Sequence, residues 1–167
     1  MASPAMSDLN FARSIIFIPE HSAEDGAVGY IVNHRLKALT KMFISSSDLQ
    51  NSDDVLKQGC EMPIPDVFES LSDRVFFGGP VAVDSIVFAC IRCIRGGVSF
   101  YVFKEPPSDL SAACEMGLRL FVGYAGWDAG QLESEIARGD WLVVDTTPEL
   151  VALACDVGTW EQLVNDH

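Results

Sequence analysis

Basic residues are scarce in this chain, and their scarcity argues against one large class of partner. The 167 residues include 24 acidic and 11 basic side chains, which gives a formal net charge of −13. Non-specific DNA binding depends on lysine and arginine side chains that neutralise phosphates. A strongly acidic surface also repels polyanions at long range. Direct binding to DNA is therefore not expected, and the densest basic stretch, residues 34–37, is interpreted as a solvated strand end.

Long hydrophobic runs are also lacking, as is any segment typical of export. The longest apolar stretches, residues 86–91 and 150–155, are much shorter than the roughly 20 residues that span a bilayer. Residues 1–8 have neither the basic start nor the apolar run of a signal peptide. These features predict a cytoplasmic protein without membrane association, in which the five cysteines stay reduced.

Motifs for metal or redox chemistry are missing. Cys90 and Cys93 have the spacing of a redox motif, but both fall within a predicted strand. Residues three apart on a strand lie about 10 Å apart and project from opposite faces, whereas a disulfide requires Cα atoms within about 7 Å. We interpret both residues as core thiols. No second pair at zinc-ligand spacing accompanies them, so neither a metal nor a cofactor is predicted.

Histidines that could act as bases are few. His21 and His34 lie at opposite ends of a predicted hairpin, roughly 20 Å apart if each strand has about six residues. They cannot work as a pair. Glu20 and His21 could form half of an acid–base site, although a solvated surface pair is the favoured interpretation.

The remaining composition is typical of one globular domain. Hydrophobic residues make up 49% of the chain and charged residues 21%, the usual balance for a folded protein. No repeat or low-complexity tract is visible, so we predict one domain over residues 1–167, with a variable polar insertion at about 37–61.

The order of predicted elements indicates an α+β fold: a single compact domain with a mixed, mostly antiparallel β-sheet and several short helices. Strands are predicted at residues 14–18, 27–33, 74–77, 118–122 and 141–144, with a central hairpin formed by 86–95 and 98–103. Pro19 is expected to end the first strand, and Gly123–Trp127 to turn the chain into a helix capped by Asp128 and ended by Gly139. Other helices are predicted at residues 63–71 and 108–116, after Thr147, and after Thr159.

Several segments are similar to signatures of a known family. They are Phe77–Val81 (FGGPV), Gly123–Ile136 (GYAGWDAGQLESEI) with Trp141–Val143 after it, the opening residues 6–14, Glu20–His21, and Gly29–Asn33. Together they resemble the YqgE/AlgH family of bacterial proteins over residues 6–163. The resemblance implies a compact mixed fold, no established enzyme activity, and a loose association with transcriptional regulation.

The chain departs from the family pattern at three places. It has Asn33-His34-Arg35 where the family usually has Asn-Arg-Pro, Pro19 where a cysteine is common, and a longer, different segment at 37–61. Any function that depends on that arginine or cysteine is not carried over by the resemblance.

The glycine-rich segment before the predicted helix also resembles a phosphate cradle, since helix starts attract anions. Its spacing is wrong for nucleotide motifs, and Asp128 would place a carboxylate where a phosphate should bind. A tight turn that packs Trp127 is favoured. The alternative is an uncharged or cationic ligand held by Trp127, Gln131 and Glu133.

Two function classes therefore remain open. One is a non-enzymatic binding or regulatory protein that acts through a protein partner or a small ligand. The other is a small enzyme or ligand-binding protein of unrecognised type. The first is favoured because catalysis needs a positioned nucleophile, base and electrostatic partner. A possible ligand or partner site comprises His21, Asn33, Gly78, Gly79, Pro80, Trp127, Gln131 and Glu133, and its convergence on one concave pocket would favour the second class.

Overall fold

The computed structural model describes residues 1–36, 71–95, 97–147, 150–151 and 158–165. In chain order the elements are β1 (Ile16–Ser22), β2 (Gly26–Ile31), β3 (Val75–Phe77), β4 (Val81–Ile94), β5 (Gly97–Val102), α1 (Leu110–Glu115), β6 (Leu118–Trp127), α2 (Gln131–Arg138) and α3 (Gly158–Asn165). A short 3-10 helix, Ser72–Arg74, precedes β3. Strands and short helices in this order confirm the predicted α+β class. None of the described helices is long and apolar enough to cross a membrane.

The six strands form one mixed sheet in which β6 is central. The order is β1-β2-β6-β4-β5, and β3 pairs with β6 beside this path. β4 runs antiparallel along one edge of β6, with Val87 opposite Phe121. The other edge is shared: β3 runs parallel to the first half of β6, with Phe76 opposite Phe121, and β2 runs antiparallel to the second half.

Successive side chains of β6 project from opposite faces of the sheet and pack in different parts of the core. Phe121 packs in a cluster with Tyr30 and Phe76. Leu118 and Leu120 belong to a second cluster with Cys90 and other apolar residues. A third cluster forms around Trp127 at the end of the strand. The central strand is therefore buried on both faces.

Two predictions about the outer strands need correction. Pro19 does not end the first strand, because β1 continues to Ser22. The register shifts between Phe17 and Glu20, and β1 is an edge strand, a place where the missing N–H of proline is tolerated. The predicted hairpin is confirmed as β4 and β5, but it is not central, since β5 forms the opposite edge of the sheet.

The prediction that Gly123–Trp127 forms a turn is wrong. These residues continue β6, and Gly126 lies opposite Val28. The glycines serve close backbone approach instead. A Cβ on Gly79, whose φ is +153°, would lie 2.3 Å from the carbonyl carbon of Tyr124, and one on Gly123 (φ +68°) would lie 2.4 Å from the carbonyl oxygen of Gly79. The segment therefore does not open the following helix, which begins at Gln131.

The helix boundaries were predicted more closely. The Asp109 carboxylate accepts a hydrogen bond of 2.9 Å from the Ala112 N–H at the start of α1. α2 stops at Gly139 as predicted. Asp128 does not cap α2, however, because Gly130 occupies the cap position and makes no side-chain bond.

The last part of the described chain differs from the prediction in two respects. Residues 141–144 do not return to the sheet: only Trp141 pairs, in an isolated bridge with Ala2. Thr159 lies inside α3 and not before it. The Thr147 hydroxyl accepts a hydrogen bond of 3.2 Å from the Leu150 N–H, as a helix cap would. The predicted insertion at 37–61 and helix at 63–71 lie outside the described residues.

Candidate functional site

Three aromatic rings meet where β6 ends, and we call them the aromatic corner (Phe11, Trp127 and Trp141). The Trp127 and Trp141 ring centres are 5.8 Å apart in an edge-to-face arrangement, and Phe11 lies 6.4 and 5.5 Å from them. Both indoles are buried. Because these distances are those of rings in direct contact, no ligand fits between them.

One carboxylate, that of Glu135, holds the aromatic corner together. Its Oε2 accepts hydrogen bonds from the Trp127 and Trp141 indole N–H groups at 2.8 and 2.7 Å. Its Oε1 accepts a third from the Gln131 amide at 2.9 Å. The side-chain oxygen of Gln131, Oε1, accepts a hydrogen bond of 3.0 Å from the Asp128 backbone N–H. This bond is one of the two that the predicted capping box would contain. Gln131 thus uses both of its polar atoms within the protein.

Glu135 was not among the predicted site residues, although the sequence held a signal for it. It lies four residues after Gln131, a spacing that puts both side chains on one face of a helix. The pairing with two indoles could not be read from the sequence, because it depends on the return of the chain at Trp141.

His21 and Glu133 form the one exposed polar pair among the predicted site residues. His21 Nε2 lies 2.6 Å from Glu133 Oε1, which joins β1 to α2. Hydrogen bonding to its own backbone N–H and then to His21 lowers the pKa of the Glu133 carboxyl. Both side chains are about half exposed, and such surface pairs contribute little stability.

Asn33 is buried and acts as a brace. Its Oδ1 accepts the Ile15 N–H at 2.8 Å, and its Nδ2 donates to the Arg13 carbonyl at 2.9 Å. The side chain therefore satisfies two backbone groups of the segment that leads into β1. Because Asn33 is fully buried, its side-chain amide is not exposed at the protein surface.

The Gly-Gly-Pro segment is built into the sheet at its glycines. The Gly78 N–H donates to the Val122 carbonyl at 2.8 Å, and the Gly78 carbonyl accepts the Ile31 N–H at 2.9 Å. Gly78 and Gly79 are buried, whereas Pro80 is exposed. Gly78 thus connects β2 and β6, and of the three residues only Pro80 lies at the surface.

The contacts within the described residues divide the eight predicted site residues into separate groups. They are Trp127 and Gln131, which both bond to Glu135; His21 with Glu133; Gly78 and Gly79 with the exposed Pro80; and Asn33. A groove of about 230 Å³ between β1 and residues 141–146 includes only Trp127 of the predicted set. Within the described ranges, no group of three or more His, Cys, Asp or Glu side chains could hold a metal. The assignment of the eight residues to a ligand or partner site stays a prediction.

The segment directly after Pro80 forms an irregular, exposed start to β4, which we call the β4 bulge (Val81–Ile86). Val81 lies opposite Tyr124 and Ile86 opposite Val122, so the intervening residues loop out of the ladder. Ala82 has a φ of +50°, an uncommon conformation for a residue other than glycine. The side chains of Val81, Val83 and Ile86 are 38%, 49% and 40% exposed.

The two cysteines of the redox-like spacing lie on β4 with different surroundings. Cys90 is buried and its Sγ donates to the Ala113 carbonyl at 3.7 Å; burial raises the pKa of its thiol. Cys93 is exposed, so the prediction of a core thiol is wrong there. The odd spacing puts the two side chains on opposite faces, and they are not bonded to each other.

The fold and these contacts define a class: a single α+β domain with a mixed sheet curved around a central strand, and a tryptophan-lined corner. A family model described as AlgH-like matches residues 1–167. The chain therefore belongs to the AlgH-like family, as its sequence segments indicated.

Sequence relatives and solved structures agree with this membership. A UPF0301 protein of Streptomyces avermitilis is 27% identical over 184 residues, an alignment that covers 98% of this chain and 82% of the relative. One from a Bradyrhizobium species is 33% identical over 165 residues and covers 90% and 71%. A crystal structure from Corynebacterium diphtheriae superposes with a TM-score of 0.59 at 26% identity and covers 100% of this chain and 84% of its own. The solution structure of AlgH from Pseudomonas aeruginosa gives 0.55 at 25% identity, with 90% and 77% covered.

Proposed function

We propose that this protein is a non-enzymatic binding protein that acts by contacting a protein partner through the β4 bulge. The observation that carries the proposal is a contrast. Asn33 and Gln131 use their side-chain polar groups in hydrogen bonds within the protein, and His21 pairs with Glu133, whereas the adjoining bulge presents three aliphatic side chains to solvent.

The internal use of the predicted site residues argues against catalysis. Asn33 and Gln131 each make two hydrogen bonds within the protein. The exposed histidine, His21, has a carboxylate partner, but no nucleophilic side chain among the described residues is hydrogen-bonded to it. An acid–base site needs that third group, so the enzyme class loses its main candidates.

The β4 bulge has the properties of a contact surface. Bulges re-aim side chains and commonly lie at functional places in a sheet, and exposed aliphatic clusters with polar surroundings mark protein–protein contacts. Val81, Val83 and Ile86 supply three exposed aliphatic side chains within six residues. The strained backbone at Ala82 adds to the argument, because strain persists where the surrounding structure enforces it.

The charge of the chain favours a protein as the partner over a nucleic acid. With a net charge of −13, the surface repels DNA phosphates. A role in transcriptional regulation, which the family resemblance implies, is therefore proposed to run through the bound protein and not through direct contact with DNA.

The test compares two substitutions on the same strand. Val83 is 49% exposed in the bulge and Ile94 is 48% exposed at the other end of β4. Affinity-tagged wild type, Val83→Asp and Ile94→Asp are crosslinked in an extract of the source cells, and captured proteins are quantified by mass spectrometry. We expect a protein that is retained by wild type and Ile94→Asp and depleted about tenfold by Val83→Asp.

The captured protein is then purified and titrated against the same three chains, with melting temperatures measured as a check on folding. Equal affinity for wild type and Val83→Asp would reject the bulge as the contact surface. A captured protein that loses affinity for both variants would show that the aspartates act by general disruption.

A further inference from the structure

Three arginines gather at the other end of β6, in a pocket of about 320 Å³. Arg35, Arg74 and Arg119 line it, and Phe76, Ile91 and Leu118 form its apolar part. We call it the arginine pocket. We propose that the arginine pocket binds a small oxyanion, either a phosphate ester or a polycarboxylate. This site involves no residue of the β4 bulge and does not depend on the partner proposed there.

The backbone pairing explains why these side chains meet. β3 and β6 run parallel with Val75 opposite Leu120, so the residues just before them, Arg74 and Arg119, lie side by side. Arg35 joins them through an isolated antiparallel bridge to Phe76. Hydrogen bonds on either side of that bridge fix its register, from the Leu36 N–H to the Val75 carbonyl at 2.9 Å and from the Phe77 N–H to the His34 carbonyl at 2.8 Å.

Phe76 holds two of the guanidinium groups in place. The guanidinium carbons of Arg35 and Arg119 lie 5.9 and 5.3 Å from the centre of its ring. A cation within about 6 Å of an aromatic ring centre is attracted to the ring face. Phe76 itself is almost fully buried. The ring therefore holds two guanidinium groups beside the same pocket wall. Arg119 Nη2 also donates a hydrogen bond of 3.3 Å to the Val151 carbonyl.

Among the described residues, Asp73 supplies the one carboxylate that lines the arginine pocket; its Oδ1 lies 3.8 Å from Arg35 Nη1, and the side chain is 88% exposed. Arg35 Nε is buried and has no hydrogen-bond partner among the described residues. Arg74 Nη1 donates one long hydrogen bond of 3.3 Å to the Leu118 carbonyl. A buried donor without an acceptor, such as Arg35 Nε, lowers the stability of the fold until a bound ligand supplies the acceptor.

An oxyanion is the ligand whose chemistry matches these groups. The planar guanidinium fork pairs with carboxylate and phosphate oxygens through two parallel hydrogen bonds. The pocket volume lies at the lower end of the range for small-molecule sites, which is about 300–1,000 Å³. Three of the 11 basic residues meet here in a chain of net charge −13. The pocket is thus a local positive site on an acidic protein.

Isothermal titration calorimetry in low-salt buffer tests the inference with two probes, pyrophosphate and citrate. The chains are wild type, Arg35→Gln, Arg119→Gln and, as matched control, Arg95→Gln, whose arginine is exposed outside the pocket. We expect at least one probe to bind wild type and Arg95→Gln alike. Loss of one charge-assisted hydrogen bond should weaken binding about tenfold or more in the two pocket variants. Binding of pyrophosphate alone identifies a phosphate site, and binding of citrate alone a carboxylate site.

Two results would overturn the proposal: no binding of either probe at millimolar concentration, or equal weakening by Arg95→Gln and the pocket variants. Melting temperatures show whether each variant folds. If a glutamine variant does not, the arginine Nε–H signals of wild-type protein decide by NMR. Pyrophosphate or citrate should shift the signals of Arg35 and Arg119 and leave that of Arg95 in place; shifts confined to other arginines would contradict the site.

Discussion

The two ends of β6, about 30 Å apart for a strand of this length, have opposite chemistry. At the Trp127 end, the Glu135 carboxylate accepts three hydrogen bonds from neutral donors, so its acceptor capacity is used inside the protein. At the Leu118 end, the described residues place three guanidinium groups beside one exposed carboxylate, and Arg35 Nε is buried without a hydrogen-bond partner among them. The polar groups of the first arrangement are satisfied within the protein, whereas the second has a buried donor that a bound oxyanion would satisfy.

This contrast teaches that a recognisable sequence segment is not the same thing as a site. The Gly-Tyr-Ala-Gly-Trp segment is distinctive because close strand packing and an indole–carboxylate network restrict its residues. The arginine pocket has no contiguous segment at all. Buried polar groups that are fully paired stiffen a fold, whereas a buried donor without a partner among the described residues, as at Arg35 Nε, is available for binding. The following predictions test whether the two ends differ in this way.

The largest effect is expected at Trp127. Its side chain is 6% exposed, contacts two aromatic rings and donates to Glu135. Replacing a buried ring by alanine costs about 3–5 kcal/mol, so Trp127→Ala should lower the free energy of unfolding by that amount in urea titrations. Tyr101→Ala is the control, because Tyr101 is 58% exposed and should change little. A Trp127→Ala protein as stable as the control would show that the aromatic corner is not scaffold.

Glu135→Ala should have the next largest effect. It leaves two indole N–H groups and the Gln131 amide without their acceptor. An unsatisfied buried donor costs about 1–3 kcal/mol, and the two indoles lie in a partly buried network. Urea titration is again the measurement. Glu133→Ala is the matched control from the same helix, and because Glu133 is exposed we expect little change in stability. Equal losses for the two variants would contradict the special role of Glu135.

Arg35→Gln should cost less than either change at the Trp127 end. The guanidinium contributes a cation–π contact and a 3.8 Å ion pair with an exposed partner. Such contacts are worth about 1 kcal/mol or less each. Removing one of three like charges also relieves repulsion. If urea titration without added anion shows a loss as large as that of Trp127→Ala, then both ends of β6 are scaffold and the comparison fails.

The fold could be predicted from the sequence where local patterns decide it. Runs of β-branched and aromatic residues predicted β2, β6 and the β4–β5 hairpin, since such runs favour strands. Asp109 and Gly139 marked helix ends through capping chemistry. The errors fell where tertiary contacts override a local signal. Gly123 has the appearance of a turn residue, yet its lack of a Cβ lets β6 approach the backbone of Gly79.

The site could be predicted only in part, for a related reason. His21 and Glu133 were both named, but their pairing depends on how α2 lies against β1. Arg35, Arg74 and Arg119 are far apart along the chain, and only strand register brings them together. No composition or motif signal encodes that register. Arginines at the starts of apolar strands, as at Arg74 just before β3 and Arg119 in the second position of β6, are the one sequence feature that could have indicated them.

The smallest expected effect is a pH dependence that separates the two ends by their titrating groups. Burial lowers the pKa of His34, beside Arg35, below its ordinary value of 6.5, although a hydrogen bond with the Arg13 backbone opposes this. The His34 side chain therefore binds a proton more readily in the unfolded chain than in the folded one. The stability that neutral His34 contributes is complete above pH 6.5 and is lost as pH falls through its lowered pKa. The Glu133 carboxyl also has a lowered pKa, and its contribution is lost only below its ordinary value of 4.5. Melting temperatures measured from about pH 7.5 to about pH 5 should therefore fall less in His34→Gln than in wild type. Glu133→Gln should follow the wild-type slope over that range, and a Glu133→Gln slope as flat as that of His34→Gln would refute the assignment.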